Sequence, residues 1–126
     1  MQTKILLSIK PHFADQIFDG SKRYEFRRVL FRSDCVTTVV VYASSPVQRV
    51  IGEFTIGGIL RLRKRALWER TKKHAGIAKR QFDLYFAGRC TAFAIEVSRP
   101  ERYAVPVELE DAFSFSRPPQ SFRYVR

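Results

Sequence analysis

Cysteine is scarce in this chain: Cys35 and Cys90 are the only two among 126 residues, and they form no CxxC pair. Histidine is equally rare. His12 and His74 stand far apart, so a zinc site has too few ligands at usable spacing. No metal and no cofactor are expected, and both thiols read as small buried or half-buried side chains of a reducing compartment. Long apolar runs are missing too. The longest, Val39 to Ala43, falls far short of the ~20 residues that a membrane-spanning helix needs. The opening MQTKILLSIKP lacks the apolar region and cleavage site of a secretory leader and reads better as a strand. The cytoplasm is therefore the expected location, with no membrane partner. Neither GxGxxG nor a Walker loop occurs, which argues against a doubly wound nucleotide fold.

What remains is a globular composition, 45% hydrophobic and 13% aromatic, that a disordered chain would not carry. The length suits one domain over residues 1–126, with no room for two independent cores. Net charge is +11, and its distribution is uneven. Residues 1–60 hold 8 basic and 5 acidic side chains, and residues 81–126 hold 6 of each. Residues 61–80, RLRKRALWERTKKHAGIAKR, hold 9 basic and 1 acidic. Such a concentration favours a polyanionic partner, although a charge run also serves as a solvated helical face.

Periodicity gives the order of elements. Ile5, Leu7 and Ile9 alternate as one face of a strand, and Pro11 suits the first turn of a helix that Gly20 ends. Lys22 to Arg28 alternates again, with Tyr24 and Phe26 on one side. Residues 30–35 read as a loop. VTTVVVYA, residues 36–43, is apolar on both faces, as a central strand is. Val50 to Ile56 form a further strand, and Gly57-Gly58 mark a bend or bulge before Ile59-Leu60. Helices follow over 66–75 and 77–87, then a last long strand through Phe93, Ile95 and Val97. A loop-rich tail contains Pro100, Pro106 and Pro118-Pro119, with a short closing strand at Phe122 to Val125. The expected class is α+β: a small, mixed or mainly antiparallel β-barrel flanked by two or three helices.

The segment GSKRYEFR, residues 20–27, gathers a glycine stop, Lys22, Glu25 and Arg27. Glu25 and Arg27 lie two apart on a strand and so share a face, with Lys22 at its mouth. Three ionisable groups at one strand entrance would perturb one another's protonation if partly buried, although a salt-bridged edge strand looks the same in sequence. GSKRYEFR matches the Gly-x-Lys-x-x-Glu-x-Arg signature of the ASCH domain, a branch of the PUA-like superfamily. Its setting also resembles that family: ILLSIKPHFADQIFDG before it, then the strand ending in YASSP, VIGEF, and the tail PPQSFRYV. The resemblance implies a PUA-like barrel whose cleft binds RNA or a modified nucleoside or nucleotide, with Gly20, Lys22, Glu25 and Arg27 at the site.

Around that cluster, Ser44 and Ser45 are candidate rim hydroxyls, and Tyr42, Trp68 and Tyr124 are candidate stacking rings. Trp68, beside Leu67 in an amphipathic helix, reads more readily as core, and the serines read equally as a turn. Arg61, Arg63, Lys64, Arg65, Lys72 and Lys73 would contact phosphates. The alternative to a binding module is a metal-independent hydrolase using Lys22 and a carboxylate. Some members of the family remove the acetyl group of N4-acetylcytidine, and others are proposed nucleases. The amidohydrolases carry threonine where this chain has Glu25, and a later glutamate for which Glu69 is the candidate. Glu69 also reads as a partner of Lys72 or Lys73.

Overall fold

The computed structural model describes residues 3–126, so the first two residues of the opening strand-like stretch lie outside the described residues. Strand β1 (Lys4–Ile9) leads into helix α1 (Pro11–Asp19), which starts on Pro11 and ends on Gly20 at φ 88°. β2 (Tyr24–Arg27) and β3 (Thr38–Ala43) follow, then the long β4 (Arg49–Arg63). Helix α2 (Lys64–Thr71) runs into a 3₁₀ turn (Lys72–His74) and is followed by α3 (Lys79–Tyr85). The last elements are β5 (Thr91–Val107), a short α4 (Leu109–Ala112) and β6 (Phe122–Val125).

Six strands form one sheet in the order β2-β5-β4-β3-β1-β6. Only β1 and β3 pair in parallel, and the other four pairings are antiparallel. The class is α+β, as the sequence indicates, but the expected barrel is an open, curled sheet. Its edges, β2 and β6, meet through one side chain: Arg27 donates to the Ser121 carbonyl at 2.7 Å. Four helices are present where two or three were expected. The fourth, α4, is too short to show in periodicity.

Alternation sorts the core. Ile5, Leu7 and Ile9 of β1 join Val39, Val41 and Phe54 with Ala14 and Ile17 of α1 inside the curl. Leu6, Val40, Tyr42 and Val50 face the other way, beneath Leu109 of α4 and Val125. β1 and β3 are thus buried on both faces, which is why β3 reads as a continuous apolar run. A third cluster unites Phe26 with Leu67 of α2 and Phe82 and Phe86 of α3.

Of the bend or bulge expected at Gly57-Gly58, the structure has the bulge: β4 continues to Arg63 through a register shift between Ile56 and Gly58. Two other expectations need correction. β5 runs well past Val97 to Val107, although it contains Pro100 and Pro106. Ser98 pairs with Thr55 and Glu101 with Glu53, so Pro100 falls in a bulge where no ladder hydrogen bond is needed. Pro106 falls in the next irregularity, between the Arg102–Gly52 and Val107–Val50 pairs. Finally, Cys35 is half-buried as expected, whereas Cys90 is exposed in the turn before β5.

Gly52 is where β4 approaches its neighbours most closely. A Cβ there would lie 2.5 Å from both the Glu101 carbonyl oxygen and the Phe18 ring. Phe18 can turn aside, but the backbone cannot. Gly52→Ala is expected to destabilise by about 1–3 kcal/mol. Gly57→Ala, whose nearest contact would be 3.4 Å, should stay within about 0.5 kcal/mol of wild type. Denaturant unfolding of the two variants checks this, and equal losses would contradict the packing described.

Candidate nucleic-acid-binding cleft

The signature residues do assemble. Past Gly20 the chain folds back beneath α1, where the Lys22 amide donates to the Gln16 carbonyl at 3.0 Å. The Lys22 side chain turns inward and is only 3% exposed. Its ammonium donates to the Ala75 carbonyl at 2.6 Å and lies 4.8 Å from the Phe26 ring centroid and 5.2 Å from that of Phe13. Gly76 makes this possible: it sits at φ 72°, and a Cβ there would strike the Lys22 methylenes at 2.7–2.9 Å. Two residues on, Arg27 reaches back to the Glu25 carboxylate at 3.2 Å, confirming that they share a face.

Lys22, Glu25 and Arg27 all line a cavity of about 450 Å³ beside the seam where the sheet edges meet. Ser8, Ile9 and Lys10 supply the β1 wall, Phe13 and Phe26 the floor, and Ile77, Gln81, Leu84 and Tyr85 the α3 wall. The walls are largely apolar, with Lys10, Lys22, Glu25 and Arg27 as their charged groups. That arrangement suits a planar heterocycle carrying polar edges.

Burial governs the protonation of this cluster. It holds the Lys22 ammonium below the usual lysine range, with the Glu25 carboxylate opposing the shift. It pushes the Glu25 carboxyl up, against Arg27 and Lys22, which favour the ionised form. Among the described residues no carboxylate forms an ion pair with Lys22. Two of its three ammonium protons are left without a protein acceptor.

Other candidate residues lie elsewhere. Tyr42 is buried on the opposite face of the sheet, because it follows Val41 and so points away from the curl. Tyr124 is part of the main core, and its hydroxyl accepts from the Arg32 and Ser33 amides, each at 3.2 Å. Trp68 packs on Phe82 at 5.1 Å between ring centroids, the core reading of that side chain. Ser44 and Ser45 form a turn after β3; the Ser44 amide bonds Ile9, but neither serine lines the cleft. Glu69 is exposed and bonded by Lys72 at 2.7 Å, the intrahelical alternative, and is not beside Lys22. Gly20 is exposed and acts as the turn that delivers Lys22. Arg61, Arg63, Arg65, Lys72 and Lys73 are exposed and Lys64 is half-exposed.

Cleft residues absent from the sequence reading come from Ser8 to Phe13 and from α3. One signal was available. Leu84 is apolar yet 70% exposed, on a helix whose inward stripe is already supplied by Phe82 and Phe86. Among the described residues no group of three or more His, Cys, Asp or Glu is placed to hold a metal ion. No helix is long and apolar enough to cross a membrane.

A family model for the ASCH domain matches residues 7–109. The chain belongs to the ASCH domain family. It is 31% identical over 123 residues to an ASCH domain-containing ribonuclease of Zymomonas mobilis, covering 96% of this chain and 83% of the relative. The crystal structure of an ASCH protein from Zymomonas mobilis superposes with a TM-score of 0.90 at 28% identity, over 98% of this chain and 88% of that one. The large ribosomal subunit protein uL22 of Ureaplasma parvum is 25% identical over 122 residues, and the chain spans only 39% of its length. The ASCH protein from Zymomonas mobilis has the same fold as this chain.

Lys22 allows a direct test of what the buried charge contributes. Inside the fold it loses its proton before the unfolded chain does, so its contribution to stability rises between its lowered pKa and the ordinary lysine value. Glu25 acts oppositely: the unfolded chain ionises first, and stability falls as pH rises from the ordinary carboxylate value through the raised one. Lys22→Met should therefore be as stable as wild type at neutral pH, or more so by up to about 2 kcal/mol. It should also lose the alkaline gain. Denaturant midpoints across a pH series measure both, and a clear loss at neutral pH would show that the ammonium holds the fold together.

Proposed function

We propose that this ASCH protein binds single-stranded RNA, holding one base or modified nucleoside in the Lys22/Glu25/Arg27 cleft while the basic segment 61–80 follows the phosphate chain. The carrying observation is the buried Lys22 ammonium lining a largely apolar cavity with, among the described residues, one protein acceptor for three protons. A base carbonyl or phosphate oxygen would complete its hydrogen bonding. Glu25 can accept from an exocyclic amine, and Arg27 and Lys10 can reach an adjoining phosphate. The basic segment is tied to the cleft by backbone: Arg23 donates to His74 at 2.9 Å, and Ile77 lines the wall. A ribonuclease among the relatives supports RNA as the polyanion.

That relative also favours a second reading, in which the cleft breaks a bond. Burial moves Lys22 down and Glu25 up, each toward its neutral form, and the two ionisable groups line one cavity as an acid–base pair would. In RNA cleavage one of them would take the 2′-hydroxyl proton as that oxygen attacks the neighbouring phosphorus, and the other would give a proton to the departing 5′-oxygen as its bond to phosphorus breaks, leaving a 2′,3′-cyclic phosphate. Arg27 would neutralise charge on the non-bridging oxygens. In an N4-acetylcytidine hydrolase the same groups would activate water at the amide carbonyl.

Fluorescence anisotropy with a labelled single-stranded RNA separates these roles. Affinity should fall steeply with salt, by about 0.7 in logarithmic slope for each phosphate contacted. Lys22→Ala should weaken binding by about tenfold or more at every salt concentration. Replacing Arg63, Arg65 and Lys73 by alanine should mainly flatten the slope. Equal affinity of wild type and Lys22→Ala would remove the cleft from the proposal. Lys22-dependent cleavage of the same RNA in the presence of a chelator would establish the hydrolytic reading.

A further inference from the structure

A second cavity, of about 490 Å³, lies past the end of β2. Arg28, Arg32 and Arg61 line it, with Asp34 the one carboxylate and Phe31 and Phe93 part of its apolar wall. Arg61 lies over the Phe93 ring, its guanidinium carbon 5.8 Å from the centroid. Among the described residues none of the three arginines belongs to an ion pair, whereas Arg27, Arg49 and Arg102 each do. Three guanidiniums without ion-pair partners lining one cavity, against a single carboxylate, suit an anion that takes parallel N–H bonds.

The two cavities share a partition. Arg28 lines the second, Tyr85 lines the cleft, and the Arg28 guanidinium stacks 5.1 Å from the Tyr85 ring centroid. Arg27 and Arg28 are consecutive, one facing each cavity. The loop carrying Arg32 is fixed by the Tyr124 hydroxyl, which accepts its amide and that of Ser33. The far wall belongs to β4 and β5, where Arg61 and Phe93 are directly paired in the ladder.

We propose that the arginine cavity is a phosphodiester subsite, which takes the backbone phosphate of the nucleotide next to the one held in the cleft. The inference rests on the cleft reading above and adds a minimum ligand: two linked nucleotides, crossing the Arg28–Tyr85 partition. It also separates these arginines from the helical part of the basic segment. Arg61, though exposed, lines a cavity at the β4–β5 arm, which Arg65 and Lys73 do not.

Calorimetric titration with a nucleoside 5′-monophosphate, the matching dinucleotide and inorganic phosphate tests this, on wild type, Lys22→Ala and the double variant Arg32→Ala/Arg61→Ala. The dinucleotide should bind wild type about tenfold or more tighter than the mononucleotide. The arginine variant should bind the mononucleotide as wild type does and lose that gain, whereas Lys22→Ala should weaken both ligands. A gain that persists in the arginine variant overturns the subsite. So does an equal loss for both ligands, which would indicate only a long-range field. Saturation of the arginines by inorganic phosphate at the dinucleotide's concentration would make them a free-anion site and overturn the linkage to RNA. Arginine-dependent dinucleotide binding that is indifferent to Lys22→Ala would overturn the cleft reading instead. All the substituted arginines are exposed, and unchanged thermal midpoints exclude misfolding as the cause.

Discussion

The hydrogen bond from the Lys22 ammonium to the Ala75 carbonyl organises the functional end of this molecule. It joins the start of β2 to the 3₁₀ turn after α2, two segments more than fifty residues apart in the chain, and does so in a desolvated setting. The Arg23–His74 backbone bond and the close seating of Gly76 on the lysine stem reinforce the same junction. A charge in such a place has lost its water, and one carbonyl and two ring faces replace only part of it. Natural proteins keep such groups where binding or chemistry needs them, because an apolar residue of the same length would fit the core more cheaply.

Charge and surface are divided between two tasks. The helical part of residues 61–80 displays solvated cations that attract any polyanion and contribute strength without choice. The cleft, with apolar walls and a few convergent polar groups, is where discrimination between ligands can arise. The junction at Ala75 and Gly76 sets the end of the basic helical segment directly against the Lys22 side chain of the cleft.

Much of the first half was legible because each local signal agreed with the fold. Pro11 and Gly20 bound α1 as expected, the two-faced apolar run of β3 marks a strand between two others, and Glu25 and Arg27 share a face by strand periodicity. The second half was less so. Gly57-Gly58, Pro100 and Pro106 are breakers by local chemistry, yet β4 and β5 absorb them at register shifts that only their mutual pairing creates. The stacking candidates failed for a related reason. Tyr42, Trp68 and Tyr124 are aromatic and near the signature in element order, but which side of a curled sheet a ring faces depends on parity and on which helix covers it. The cleft wall from α3 is a long-range product of the Lys22–Ala75 junction and left almost no local trace beyond exposed Leu84.

Arg27 is the clasp of the open sheet. A continuous ladder would close the barrel with many small bonds, none of them accessible to a ligand; here a guanidinium reaches from β2 to Ser121, just before β6, while also holding Glu25. The same side chain lines the cleft, so the tail before β6 is anchored on a residue that a ligand in the cleft would meet.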